Sequence, residues 1–162
     1  MAEREIVKYG ENVLKQRAEE VERFDDSVRA LIEEMYQVME ENHGLGLAAP
    51  QIGVPKRVFV YDSEDGPHAL INPRLIKGSG EQISVEGCLS IPGLQGEVKR
   101  YETVTVEGLN ENGKKVRIRA QGLLARVFQH EMDHLDGTLF VDKADPDTLQ
   151  LVGQEEVDVS EE

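Results

Sequence analysis

A single cysteine stands in the chain, so no internal disulfide can staple the fold, and Cys88 is left as a buried thiol, a reactive thiol or a metal ligand. No apolar run approaches the roughly 20 residues that cross a bilayer. The opening MAEREIVKYG carries Glu3, Arg4, Glu5 and Lys8 where a secretory signal needs an apolar stretch. Positive charge is also scarce. With 18 basic against 32 acidic side chains the formal net charge is -14, which repels phosphate backbones and argues against general affinity for nucleic acid. These absences predict a protein of a reducing cytoplasm with no membrane partner and no direct nucleic-acid partner.

What is present suits one globular unit: 162 residues, 39% of them hydrophobic, enough for one real core. From Ser27 to Glu41 the apolar residues Val28, Leu31, Ile32, Met35 and Met39 recur at steps of three and four, with Asp25, Asp26 or Ser27 available as a cap. This predicts an N-terminal amphipathic helix that runs into a loop at Gly44-Leu45-Gly46-Leu47-Ala48-Ala49-Pro50. Short β-like runs follow at 57–61 and 69–71, parted by the turn signal Asp65-Gly66-Pro67. The runs 103–106 and 116–118 alternate apolar with polar around Asn112-Gly113, the pattern of a hairpin. Helical spacing returns from Leu123 to Leu135, with Gly137 beyond it as a stop. The expected class is α+β, mainly antiparallel strands around the second helix. Residues 1–148 are expected to form a single catalytic domain. Residues 149–162, rich in glutamate and aspartate, are expected to be an acidic, partly disordered tail.

The sharpest chemical signal is His130-Glu131-Met132-Asp133-His134, an HExxH motif inside that second helix. Histidines at i and i+4 project from one face, so both imidazoles can reach one metal ion with Glu131 beside it. Two histidines leave a catalytic tetrahedral site one protein ligand short. Cys88, in Glu86-Gly87-Cys88-Leu89-Ser90, is the best candidate for the third. After His134 the chain reads Leu135-Asp136-Gly137-Thr138-Leu139-Phe140, so the extended histidine pattern of metzincins is absent. Glu155 and Glu156 offer a carboxylate only from the acidic tail. His43 and His68 lie outside the metal spacing and are expected at the surface. Two rival readings remain on these grounds: a zinc-dependent peptidase using HExxH, and a non-catalytic domain held by a closed metal site.

Gly44-Leu45-Gly46-Leu47-Ala48-Ala49-Pro50-Gln51, then Glu86-Gly87-Cys88-Leu89-Ser90, then Gln129-His130-Glu131-Met132-Asp133-His134 together resemble the three motifs of peptide deformylases, in order, over roughly residues 6 to 143. The resemblance implies removal of the formyl group from formyl-methionine of newly made polypeptides, with the ribosome as site of action. It implies one divalent ion on Cys88, His130 and His134, ferrous iron expected and zinc, nickel or cobalt admissible on ligand softness. Glu131 is then the general base and acid. The Gln51 side-chain amide and the Leu89 N–H are the donors to the oxyanion. Gly46 belongs with these catalytic residues and also lets the substrate backbone approach. Leu45, Leu123 and Val127 are the expected walls of a methionine pocket.

Overall fold

The computed structural model describes residues 5 to 151. A short 3₁₀ turn at Asn12–Lys15 precedes helix α1 (Asp26–Glu41). Strands β1 (Gly46–Ala48), β2 (Val58–Ser63), β3 (Gly66–Ser79), β4 (Gln82–Cys88), β5 (Ile91–Arg100), β6 (Thr103–Leu109) and β7 (Lys115–Gln121) follow. Helix α2 (Leu123–Leu135) and strand β8 (Gln150–Leu151) complete the described order. The strands form two antiparallel sheets, β1-β2-β3-β6-β7 and β4-β5-β8. The architecture is α+β. At the start of the expected tail Leu149 packs beside Val98, Phe140 and Ala144, and Gln150 and Leu151 pair with Gln95 and Leu94 of β5; residues 152–162 of that tail lie outside the described residues.

Local chemistry explains the elements. Asp25 caps α1, its carboxylate accepting from the Ser27 and Val28 amides at 3.1 and 3.3 Å. The apolar stripe of α1 buries Val28, Ile32, Met35 and Met39 against one face of the larger sheet, with Val58, Val60, Ala69 and Ile71. The opposite face packs Phe59, Tyr61, Leu70, Val104 and Val106 against Ala125, Phe128 and Leu135 of α2. The Tyr61 and Phe128 rings meet edge to face, centroids 4.8 Å apart. The β6–β7 hairpin turns where expected: Gly113 takes φ +78, and the Asn110 side chain accepts from the Asn112 and Lys114 amides.

Three expectations change. The segment from Gly44 onward is not all loop, since Gly46–Ala48 forms β1 and Ala49–Ile52 a 3₁₀ turn. Leu47 faces the α1 core and Ala48 the α2 core, so this strand is buried on both sides and shows no alternation in sequence. The short run at 69–71 is part of a 14-residue strand interrupted by a register shift between Ile71 and Arg74. There Asn72 adopts φ +53 and its amide clasps the backbone of Val21. His68 is only partly exposed, and its ring is held between Glu111 (3.0 Å) and Asp65 (2.9 Å).

Burial of the His68 ring works against its charge, but the hydrogen bonds and charges of Asp65 and Glu111 outweigh it and raise its pKa. A group whose folded pKa is raised contributes stability that is fully present below its unfolded value, about 6.5, and lost as pH rises through the folded value. We therefore expect the stability difference between the wild type and His68→Gln, measured by urea denaturation, to be largest just below that value. It should shrink as pH rises above it. A difference independent of pH across this window would refute the charge-based account of this contact.

Candidate metal centre

The two histidines of the motif reach one point because α2 runs unbroken from Leu123 to Leu135. Their rings lie 5.1 Å apart, centroid to centroid. Cys88 arrives from the other sheet, at the end of β4, where a register shift between Glu86 and Cys88 redirects the strand. Its Sγ lies 3.3 Å from His134 Nε2, and the ligand atoms of Cys88, His130 and His134 all fall within 4.8 Å of one another. Among the described residues these three form the group able to hold an ion.

The donor set fits a divalent cation. Thiolate and two imidazoles suit first-row metals, and three protein ligands leave a position open to water or substrate. The protonation chemistry points the same way. Burial opposes charge on His130, yet Cys88 and Glu86 raise its pKa to about 10, and groups that attract a proton to this ring also favour a metal cation in its place. Burial drives His134 the other way, well below the ordinary histidine value, toward the neutral imidazole a metal requires.

Glu131 is buried beside the ligands, and its Oε1 has no hydrogen-bond partner among the described residues. Burial raises its pKa, His130 lowers it, Glu86 raises it again, and the outcome is about 7. The carboxylate packs against β1 so closely that a Cβ on Gly46 would meet Glu131 Oε2 at 2.8 Å and Val127 Cγ1 at 2.9 Å. Only glycine fits there.

Gln51, in the 3₁₀ turn after β1, is 2% exposed rather than solvated. Its Oε1 accepts from the Ala48 amide at 3.0 Å, which leaves the Nε2 donors aimed at Ser90 Oγ (3.2 Å) and Cys88 Sγ (3.6 Å). A cavity of about 690 Å³ opens over the ligands, lined in part by Leu45, Gly46, Gln51, Leu89, Leu123 and Val127. Leu45 and Leu123 are 50% and 60% exposed, so they belong to the cleft wall and not to the core.

A buried ion-pair network behind the ligands was not foreseen. Arg100 grips Glu86 with two hydrogen bonds, Nε to Oε2 at 3.0 Å and Nη2 to Oε1 at 2.9 Å. Arg126 adds a third bond to Oε2, and His130 Nδ1 lies 3.0 Å from Oε1. Arg100 also reaches Asp133, which Lys143 meets from outside at 3.0 Å. Burial raises the Glu86 pKa, but Arg100 and His130 bring it down to about 2. Glu86 was visible beside Cys88 in sequence, whereas Arg100 and Arg126 carry no motif, being 14 and 40 residues away.

Known proteins agree with this geometry. The chain matches the family described as polypeptide deformylase over residues 3–150. It is 51% identical over 145 residues to a peptide deformylase of Carboxydothermus hydrogenoformans, covering 90% of this chain and 95% of that protein. It is 48% identical over 147 residues to one from Dictyoglomus thermophilum, covering 91% and 96%. Its fold is similar to a Synechococcus elongatus peptide deformylase solved in complex with actinonin, with TM-score 0.86, 46% identity and coverage of 90% and 80%. The Thermotoga maritima enzyme gives TM-score 0.85 at 40% identity, covering 88% and 98%. With an α+β fold of two antiparallel sheets and a Cys-His-His cluster on an HExxH helix, the chain belongs to the polypeptide deformylase family, hydrolases that act on N-formylmethionine peptides.

Proposed function

We propose that residues 1–148, as one catalytic unit, remove the formyl group from formyl-methionine of newly synthesised polypeptides in a reducing cytoplasm and release formate. One divalent ion, ferrous iron by expectation, is held by Cys88, His130 and His134. The observation that carries this reading is the convergence of three ligand atoms within 4.8 Å beside a buried carboxylate. The reading needs no membrane anchor, and no helix of the described residues is long and apolar enough to cross a membrane.

Hydrolysis of a formamide adds water oxygen to the formyl carbon, breaks the C–N bond and returns a proton to the amine. A divalent ion on the three ligands would polarise the formyl carbonyl and make water acidic enough to attack near neutral pH. Glu131, with a pKa drawn toward neutrality by burial, takes the proton from the attacking water and delivers it to the leaving amine. Its unpartnered Oε1 is free for that exchange. Gln51 Nε2 and the Leu89 N–H donate to the carbonyl oxygen as it gains charge. The Gln51 amide cannot turn away, because its other end is tied to Ala48. The bare backbone at Gly46 admits the peptide, and Leu45, Leu123 and Val127 enclose the methionine side chain. Glu86 aims His130 through Nδ1, leaving Nε2 to face the ligand cluster.

Formate release from formyl-Met-Ala-Ser by anaerobically purified protein, with elemental analysis, tests the assignment. Cys88→Ala should lose both metal and turnover. Glu131→Gln should keep metal and fold while turnover falls by on the order of 10²–10⁴. Wild-type rates in Glu131→Gln, or undiminished metal in Cys88→Ala, would sink the assigned roles.

Glu86→Ala leaves two buried guanidinium groups with one partner each, Arg100 with Asp133 and Arg126 with Gln82, and breaking such a network costs up to about 3–5 kcal/mol. Losing the partner of His130 should also weaken metal binding roughly 10–100-fold. Urea denaturation and competition with a chelator measure the two effects; wild-type values in both would remove Glu86 from this role.

If the ion is ferrous, brief peroxide exposure should abolish activity by oxidising iron or the Cys88 thiolate. Full activity after that treatment would exclude ferrous iron as the working metal.

A further inference from the structure

The larger sheet is only partly covered on the face that α1 packs against. Helix α1 sits over β1 and β2, and the outer end of that face, made by the last residues of β3 with β6 and β7, is exposed among the described residues. Register decides what stands there. Arg74 on β3 lies opposite Glu107 on β6, which lies opposite Arg117 on β7; in the next row Lys77, Thr105 and Arg119 align. Val104 and Val106, the alternate residues of β6, are buried in the α2 core, so this set projects to the other side. Lys115 continues the series along β7, an edge strand.

Among the described residues five cations, Arg74, Lys77, Lys115, Arg117 and Arg119, thus share one exposed surface with Glu107 between them, and Glu20 and Asp136 stand at its margin beside Arg74 and Lys115, in a chain of net charge -14. Glu107 does not cancel them. It bridges Arg74 at 3.1 Å and Arg117 at 2.7 Å, while those side chains stay 74% and 62% exposed. The bridge holds two guanidinium groups, carried by strands two spacings apart, against one carboxylate with donors still facing water. Lys77 and Arg119 form no ion pair among the described residues. Between the cations stand Thr103, Thr105, Ser79 and Gln121, small neutral hydrogen-bonding side chains.

We infer that this face docks the backbone of double-helical RNA. Arginine forks match phosphate geometry, and the hydroxyl and amide groups between them suit phosphate and ribose 2′-OH. No aromatic side chain occurs among these outward positions, so unpaired bases have nothing to stack on, and the flat array favours a duplex read by its backbone. The face contributes no lining residue to the catalytic cavity, so the inference stands independently of the proposed hydrolysis. The overall negative charge limits affinity at a distance but does not remove a local positive field screened over roughly 10 Å.

The test is fluorescence anisotropy of a labelled RNA hairpin of about 20 base pairs, longer than the roughly 16 spanned by a compact duplex-binding module, with the full chain. Four phosphate contacts predict weakening on the order of 10²-fold between 50 and 200 mM salt. Lys77→Glu with Arg119→Glu should reduce affinity at least tenfold while leaving formate release from formyl-Met-Ala-Ser unchanged. The milder Lys77→Gln with Arg119→Gln serves if the reversal unfolds the chain, and should show the same direction. No binding by the wild type at 50 mM salt, or unchanged binding in the double variants, overturns the inference. So does equal affinity for polyglutamate or for anionic phosphatidylserine vesicles, either of which would identify a different occupant.

Discussion

The carboxylate of Glu86 is the point on which the site depends. It is almost wholly removed from water, and a charge so placed is tolerated only when its lone pairs are filled. Arg100 fills two, Arg126 a third and His130 a fourth. These partners come from three elements: β4 carries the acid, β5 carries Arg100, and α2 carries Arg126 and His130. The network therefore locks the smaller sheet to the helix that bears the histidines. That lock acts together with the apolar cluster of Val98, Phe140 and Ala144, against which Cys88 packs, to hold Cys88 and His134 3.3 Å apart.

Apolar packing does the complementary work on the other side. Phe128 and Leu135 seat α2 on the larger sheet, and β1, pinned between both cores, carries Gly46 up against Glu131. The cleft lies where the two sheets approach one helix, so its walls are drawn from all three. Leu45 and Gln51 come from the β1 region, Leu89 from the end of β4, Leu123 and Val127 from α2. Leu45 and Leu123 are exposed at the rim, and a methionine side chain is the kind of unbranched apolar group that would cover them.

Strands were legible where one face meets water, and also where a short run of β-branched and aromatic residues is buried on both sides, as at residues 58–61 of β2. The β6–β7 hairpin showed itself because Val104 and Val106 alternate with Thr103 and Thr105 and the turn holds Asn112-Gly113. By contrast β4 and β5 were missed: Ile83 and Val85 are exposed, and Gly87, Pro92, Gly93 and Gly96 break the pattern. For β3 the interruption at Asn72-Pro73 hid the strand's full length. Net charge likewise does not tell which residues share a face, because it is a sum over the chain.

Helix periodicity and short-range spacing belong to the sequence itself. Both helices, the facing of His130 and His134, and the motif order that resembles peptide deformylases all follow from neighbours a few residues apart, where backbone geometry alone sets which side chains meet. Tertiary structure decided everything that required distant segments to converge. It brought Cys88 to the histidines, turned Gln51 inward, joined Glu86 to Arg100 and Arg126, and gathered the cations of β3 and β7 on one surface. Register and packing between strands set those encounters, and neither is encoded in any local stretch of residues.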